Sequence, residues 1–599
     1  STDMTRVLWD YSQSVAGYTA KLEYAPRMES ARKEIRAQVG DDATKENSVG
    51  RSAIANEIER RELTDDVFRT GLVHTAAQRL LTLSFIDKLA SPSYSIINSL
   101  QAAVVGMPVI AGRHKVGATV AELSRAYNDV AGFSIIKQGL GEVGRKTMGR
   151  DATATYLEDI KGRAKTAGER KMFEALEETG TIDADAGLEL GELSRAQAGN
   201  TRTSQVLARA DKALGYVEDI ARQMPKAVEV LNRSAVALAA YRLEFRKTGD
   251  HDKAVDYART AVDTSQFNYS NTNAPPIFNH PLAKLSLQFK KYGQAMYYLL
   301  GSNVGKAYRG GDNGERAEAL RTLGMIAVTH MAVAGALGLP TEPVKYLLMG
   351  AKAFGLTATG WDDVEELVRQ YSADILGKSG GEIFSKGIPR ALGVDVSSRL
   401  GLDSLVAFGE PKSDKEADVK RWLWDTLAGA PAALVTDYMK GTNHLVSGDF
   451  TKAAELMLPI KAGADMIRAY RTATEGKVGA TGRTLMEPYS AYEVGLRSLG
   501  FAPAREAESG AKSAAFRNQT TKAQGARSEV INAWVNAKGA DKVKAQRGVQ
   551  EFNRTAQGEY KISQKDLTNA AKRREREGSG IVSTKRTEAI RARVEQIYQ

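Results

Sequence analysis

Glu29-Ser30 is the first pair of residues along the chain with chemical meaning, since a Glu beside a Ser can act as the general acid in glycan cleavage. It lies in RVLWDYSQSVAGYTAKLEYAPRMESARKEIRAQV, where charged and apolar positions alternate at helical spacing, and a solvated helix surface accounts for it. Gly139-Leu140-Gly141-Glu142-Val143-Gly144 has the form of a dinucleotide fingerprint. No flanking pattern supplies the strand–helix–strand frame that such a fingerprint needs, so it reads as a loop between helices. Asp362-Asp363 and Glu365-Glu366 pair carboxylates just after Trp361, where a helix begins, and a helix start favours acidic residues without any catalysis. The six histidines (His74, His114, His251, His280, His330, His444) stand far apart, with no H-E-x-x-H and no i, i+4 pair. That spacing does not build a zinc hydrolase site. There are no cysteines, which removes disulfides, thiolate metal sites and Cys nucleophiles together. The expectation is a protein that is not an enzyme and needs no cofactor or metal.

Charge carries more information. The formal net charge is +11, and residues 501–599 hold 20 Lys+Arg against 11 Asp+Glu, so +9 belongs to the tail and +2 to the rest. The strongest basic run is Lys572-Arg573-Arg574-Glu575-Arg576, followed by Lys585-Arg586, Arg591 and Arg593. Lys572, Arg573, Arg574, Arg576, Lys585 and Arg586 are therefore candidate contacts to nucleic-acid phosphates. A solvated helix face explains the same run, because glutamates are interleaved and no base-stacking aromatic sits among the arginines.

The elements that would position these groups read as helices throughout. No period-2 pattern is sustained, and no proline occurs between Pro108 and Pro225. Apolar content of 42% against 26% charged argues against wholesale disorder. The fold class expected is all-α: an elongated multi-helical assembly with several long helices and a helical basic C-terminal extension. Five segments suggest themselves. They are an N-terminal helical unit (1–75, with an exposed connector at 40–50), a long-helix region (76–260), a connector and amphipathic helix (261–322), an apolar hairpin and short-helix region (323–500), and the tail (501–599).

Within 76–112, LTLSFIDKL and IINSLQAAVVGMPVIAG suggest two helices broken at Ser91-Pro92, neither holding the 18 uninterrupted apolar residues of an ordinary membrane span. Asn98 and Gln101 read as interior amides bonding to a neighbouring helix. Residues 203–247 form a long helical stretch, broken or kinked at Pro225, with Leu207, Leu214, Val217, Ile220, Val228, Leu231 and Leu238 as its buried stripe. After a polar connector at 268–276, Leu282, Leu285, Phe289, Tyr292, Met296 and Leu299 recur at intervals of 3, 4, 3, 4 and 3, which is a helix-packing seam.

Residues 323–356 make a second apolar block. Its first arm ends at Pro340 and Pro343 and a second arm returns, with Ala327, Ala332, Ala334, Gly335, Ala336 and Gly338 small enough for close helix approach. A buried hairpin explains this block, as does conditional contact with lipid through Met325, Ile326, Val328, Met331, Val333, Leu337, Leu339, Leu347, Leu348 and Phe354. Trp422 and Trp424 mark a third apolar patch (422–439), and glycine-bearing connectors fall at 377–381 and 476–482.

The wording of four segments adds a resemblance. NYSNTNAPPIFNHPLAKLSLQFKKYGQAMYYLL resembles a segment near the C-terminal end of very large phage-encoded polypeptides, including internal virion (DNA ejection) proteins of short-tailed phages. LASPSYSIINSLQAAVVGMPVIAGR (89–113), MIAVTHMAVAGALGLP (325–340) with Trp361-Asp362-Asp363, and GKVGATGRTLMEPYSAYEVGLRSLGF (476–501) extend it. The resemblance implies a protein packaged in the capsid core above the portal, beside genomic DNA and other internal virion proteins. Copies would assemble as a ring or tube, pass through the tail, meet the host membrane transiently and help form a channel for genome translocation. The chain begins Ser-Thr-Asp without an initiator Met, which fits a processed start or a piece of a longer product. Two other classes stay open: a nucleic-acid-binding virion protein that never meets a membrane, and the helical flank of a giant phage enzyme.

Overall fold

The computed structural model describes residues 91–131, 152–182, 205–267, 290–341, 361–402, 434–458, 461–478, 484–556 and 558–578, with a few single positions outside these ranges. These residues are mostly helical, in agreement with the all-α expectation. The chain divides into two compact units, Ser1–Ala504 and Arg505–Gln599.

In the first unit the order is α1 (Pro92–Arg113), α2 (Val116–Ala131), α3 (Ala152–Gly162), α4 (Ala167–Glu178), α5 (Gln205–Thr248) and α6 (His251–Gln266). It continues with α7 (Lys291–Arg309), α8 (Asn313–Ala334), α9 (Trp361–Lys386), α10 (Ser397–Leu400), α11 (Phe450–Met457), α12 (Lys461–Glu475) and α13 (Ala491–Ser498). Four strands of two or three residues form two antiparallel ladders. β1 (Val394–Asp395) pairs with β4 (Ala502–Pro503), and β2 (Lys477–Val478) with β3 (Thr484–Met486). The glycine-bearing connector expected at 476–482 is thus entered through a small hairpin, where Gly476 takes φ +69.

α5 organises the first unit. It runs 44 residues as one helix through Pro225, so the break expected there does not occur. Pro225 is itself buried, and the helix runs on from it into a stretch, Glu229 to Tyr241, in which every residue is buried. Leu231 and Leu238 lie in this core as expected, with Ile110, Leu123, Phe173, Ile182 and Val262 around them. Val228 is half-buried, and the side chains of Leu207, Leu214, Val217 and Ile220 fall outside the described set.

Two polar devices fix the neighbours of α5. Arg233, 2% exposed, donates to Glu229 one turn earlier and to the carbonyls of Thr181 (3.0 Å) and Phe267 (2.8 Å). It thereby pins the chain after α4 and the exit of α6 to one point. Phe267 itself holds φ +54, a backbone state costing a non-glycine residue about 1–3 kcal/mol, and its buried ring and bonded carbonyl keep it there. At the other end of α5, Arg242 bonds Glu169 on α4 (2.7 Å) and both Asp129 (2.7 Å) and Glu122 (3.3 Å) on α2, while Arg246 also reaches Glu122. Burial raises the Asp129 carboxyl, but Lys165 and Arg242 outweigh it and hold the group below its ordinary value.

The second unit contains α14 (Ala504–Asn536), α15 (Ala540–Thr555) and α16 (Gln564–Gly578). Val549, Ile562 and Leu567 form its core, with Val530, Ile531, Trp534 and Phe552 against them. The Asn553 side chain accepts from the Ile562 amide (2.7 Å) and donates to the Ile562 carbonyl (2.8 Å), which closes the turn before α16.

Glu29 pairs with Lys33 at 2.8 Å, both well exposed, as an i, i+4 helix-surface pair. The glycines at 139–144, the connectors at 40–50 and 268–276, and Trp422 and Trp424 lie outside the described residues.

Replacing Arg233 with Met removes the donor that Glu229 and the Thr181 and Phe267 carbonyls share. The expected loss is about 3–5 kcal/mol of unfolding free energy, measured by urea denaturation followed by far-ultraviolet circular dichroism.

Candidate functional site

α1 is where the segments that carry the resemblance meet. Its start is fixed by Ser91 in extended geometry followed by Pro92 in the first turn, where a missing N–H costs nothing. The expected break at Ser91-Pro92 is therefore a helix start. Pro108 does not interrupt the helix further along, because a π-turn at Ala102–Gly106 leads directly into Met107–Arg113. The result is one helix of 22 residues, long and apolar enough by length and composition to cross a membrane, with half of its apolar window buried against protein. Ser95, Asn98, Ser99 and Gln101 still interrupt it, so it holds no run of 18 uninterrupted apolar residues, as expected from the sequence.

Pro108 has no N–H to offer the Val104 carbonyl four residues back. The hydroxyl of Thr329 on α8 lies 3.0 Å from that carbonyl, and as close to the Met325 (3.0 Å) and Ile326 (3.1 Å) carbonyls of its own helix, so its one hydrogen is shared among three acceptors. Glycines then bring the neighbours close. A Cβ on Gly106 would meet Val236 of α5 at 2.7 Å, and one on Gly112 would collide with the Thr322 hydroxyl of α8. Gln101 donates to the Ser265 carbonyl of α6 at 3.2 Å, which bears out its reading as an interior amide. The Asn98 carbonyl accepts from Asn232 at 2.7 Å.

Around this helix the four segments pack on one another. Val104 and Val105 share a core with Met296 and Leu299 of the seam, Ile326 of the second apolar block, Phe267 and Leu402. One turn earlier, Ile97 and Leu100 pack against a second cluster of Val396, Leu400 and Phe501, as do Leu496 and Val333. Tyr292 belongs to the first of these groups, edge-on to Phe267 at 5.6 Å, with its phenol pushed up to about 12 by burial. Leu282, Leu285 and Phe289 lie outside the described residues.

Both ends of α1 are held by charge. At its start, Ser93 donates its amide to the Leu499 carbonyl (2.9 Å), while Arg399 bonds the Ser93 hydroxyl (2.7 Å) and the Gly500 carbonyl (2.8 Å). Gly500 takes φ +89, and a Cβ there would sit 2.6–2.7 Å from Ser91, Ser93 and Asp465 oxygens. Asp465 is in turn paired with Lys461 at 2.7 Å. Burial lowers the Arg399 and Lys461 values, and for Lys461 it outweighs the opposing pull of Asp465. At its end, Arg113 forms a two-point pair with Glu244 of α5 (2.6 and 3.0 Å), and His114 Nε2 lies 3.1 Å from the same carboxylate without hydrogen-bond alignment.

The candidate membrane contacts divide. Ile326 and Leu337 are buried in protein, Met325, Met331, Val333 and Leu339 are half-buried, and Val328 is exposed. Leu347, Leu348 and Phe354 lie outside the described residues. α8 starts at Asn313, ten residues before the apolar block, and ends at Gly335 (φ +77), five residues before Pro340. The small residues do permit close approach: a Cβ on Gly335 would collide with the Ser385–Lys386 backbone, and one on Gly387 with the Val333 carbonyl. His330 is fully buried, its Nδ1 2.9 Å from the Ile326 carbonyl and its Nε2 unpartnered, and burial lowers its pKa.

Of the basic candidates, Lys572, Arg573 and Arg574 are exposed on α16. Arg576 lies in the same helix with its side chain outside the described set, and Lys585 and Arg586 fall beyond the described residues. Sequence reasoning missed Thr329, Arg399 and Gly500. Nothing in the local sequence names Thr329 or Arg399 as a partner of α1.

No family model, no curated protein and no solved structure matches this chain.

Thr329→Val keeps the shape and removes the donor to Val104. It is expected to cost about 1–3 kcal/mol, read from the shift of the urea midpoint. Acidification tests the buried histidines. A His whose pKa is lowered by folding stabilises fully above its unfolded value near 6.5, and that contribution is lost as pH falls through the lower folded value. Stability should therefore decline from pH 6.5 toward 5, and His330→Leu should flatten that decline, leaving the part due to His114.

Proposed function

We propose that this chain belongs to a non-enzymatic internal virion protein of a short-tailed phage. It is packaged in the capsid core beside the genome, the portal and other internal proteins, then delivered into the host envelope. There, with other copies of itself, it helps form the channel for genome translocation. The observation that carries this reading is the convergence on α1. The four segments whose wording resembles the ejection proteins lie far apart in sequence, yet each contributes side chains to the two apolar clusters around that helix. The resemblance thus falls on one packed module instead of on unconnected stretches.

The physical properties of the module suit such a life. α1 has the length and apolar content of a bilayer-crossing helix, and protein side chains cover half of it. Its neighbours α7 and α8 carry further apolar groups, so exchange of protein contacts for lipid would involve all three.

Two measurements test the reading. Mass spectrometry of purified particles of the encoding phage should detect peptides of this chain, and envelope fractions of freshly infected cells should contain it. Absence from particles would end the proposal. Purified protein should also release dye from phosphatidylethanolamine–phosphatidylglycerol vesicles. Val328→Lys, at a side chain 60% exposed, should change stability by no more than about 0.5 kcal/mol while reducing that release several-fold. Equal release by both proteins would remove α8 from the lipid contact.

A further inference from the structure

We infer that the outward face of α16 is a binding surface for duplex DNA that grips phosphates and reads no bases. This deepens the virion proposal by naming the partner of the basic unit, and it rests on that proposal only for where the DNA is met. α16 turns one side inward, with Leu567 1% exposed in the small core. On a helix, Lys565, Asn569 and Lys572 fall on the side opposite Leu567, with Thr568 beside them, and all four are exposed. Lys561 in the preceding turn, and Arg573 and Arg574 further along, are exposed as well. Glu575 is the acidic residue exposed among them; Asp566 is turned to Arg527 at 2.8 Å and to the Ser563 cap.

The composition of this face selects among anionic partners. It carries no aromatic side chain, so it has no platform for stacking the bases of a single strand. It carries no large apolar side chain either, so it lacks what an interfacial helix buries in a bilayer. Cations spaced along a rigid helix, with an amide and a hydroxyl between them, match a regular array of phosphates. Lys565 and Lys572 are seven residues apart, about 10 Å along the axis, which is about three phosphate steps of one duplex strand. The turn clamped by Asn553 and the Ser563–Asp566 cap fix the helix start, so the cations are presented in a set register.

The test uses the full chain and fluorescein-labelled 30-base-pair duplexes of two unrelated sequences, with fluorescence anisotropy from 50 to 200 mM salt. Both duplexes should bind equally and with a strong salt dependence. In the double variant Lys565→Ala/Lys572→Ala the slope of log affinity against log salt should fall by about 2, so that the wild type loses about 10-fold more affinity than the variant across that range. Lys538→Ala/Lys544→Ala, at exposed lysines outside α16, should stay within about 2-fold of wild type, and circular dichroism should show equal helix content in all three proteins. An unchanged slope in the α16 variant overturns the inference. So does a preference of more than 10-fold between the duplexes, which would mean base readout. Sedimentation with phosphatidylglycerol vesicles that depends on the same lysines, without duplex binding, would assign the face to membrane. Loss of duplex binding would leave detection of the chain in particles untouched, so failure here and failure of the virion proposal are distinguishable.

Discussion

An apolar helix of 22 residues is costly to leave in water, and the first unit buries half of the apolar window of α1 against protein. α5 and α6 cover one side, α7 and α8 another, and the segment around Phe501 closes over its first turns. That demand explains why glycines stand at positions 106 and 112, where bulk would push α5 and α8 away. It also explains why neighbours come from such distant parts of the sequence. The first and second apolar blocks and the 292–299 seam share one cluster because each is short of partners alone.

The charged groups do a different job. Hydrophobic contacts do not specify which residue faces which, whereas Arg233, Arg242 and Arg399 each bind two or three acceptors from different segments. A guanidinium with several fixed donors sets register as a greasy contact cannot. Each becomes costly to disturb once buried, since loss of one partner leaves the others unpaired. The second unit uses the same division at smaller scale: a short apolar core, a side-chain amide closing the turn, and exposed cations on α16.

Much of the architecture is legible in the sequence. Helical spacing and missing strand periodicity identify the all-α class, and the 4–3 spacing of Tyr292, Met296 and Leu299 marks side chains that do enter a shared core. Prolines divide. Pro225 reads as a break or kink, yet it sits inside one continuous helix. The break expected at Ser91-Pro92 is present, with Ser91 extended and α1 beginning at Pro92. The residues that hold the ends of α1 are illegible. Arg399, Gly500 and Asp465 are brought together by folding across hundreds of residues, and a cation or glycine in an ordinary stretch carries no local mark of that meeting. The membrane-contact candidates are partly legible: the pattern locates a real apolar helix but does not tell Ile326, sealed in protein, from Val328, open to solvent.

The hydroxyl that α8 lends to α1 has a mechanical corollary. That bond joins residues 225 apart in sequence, so α1 and α8 part only by giving up a polar contact together with the apolar ones.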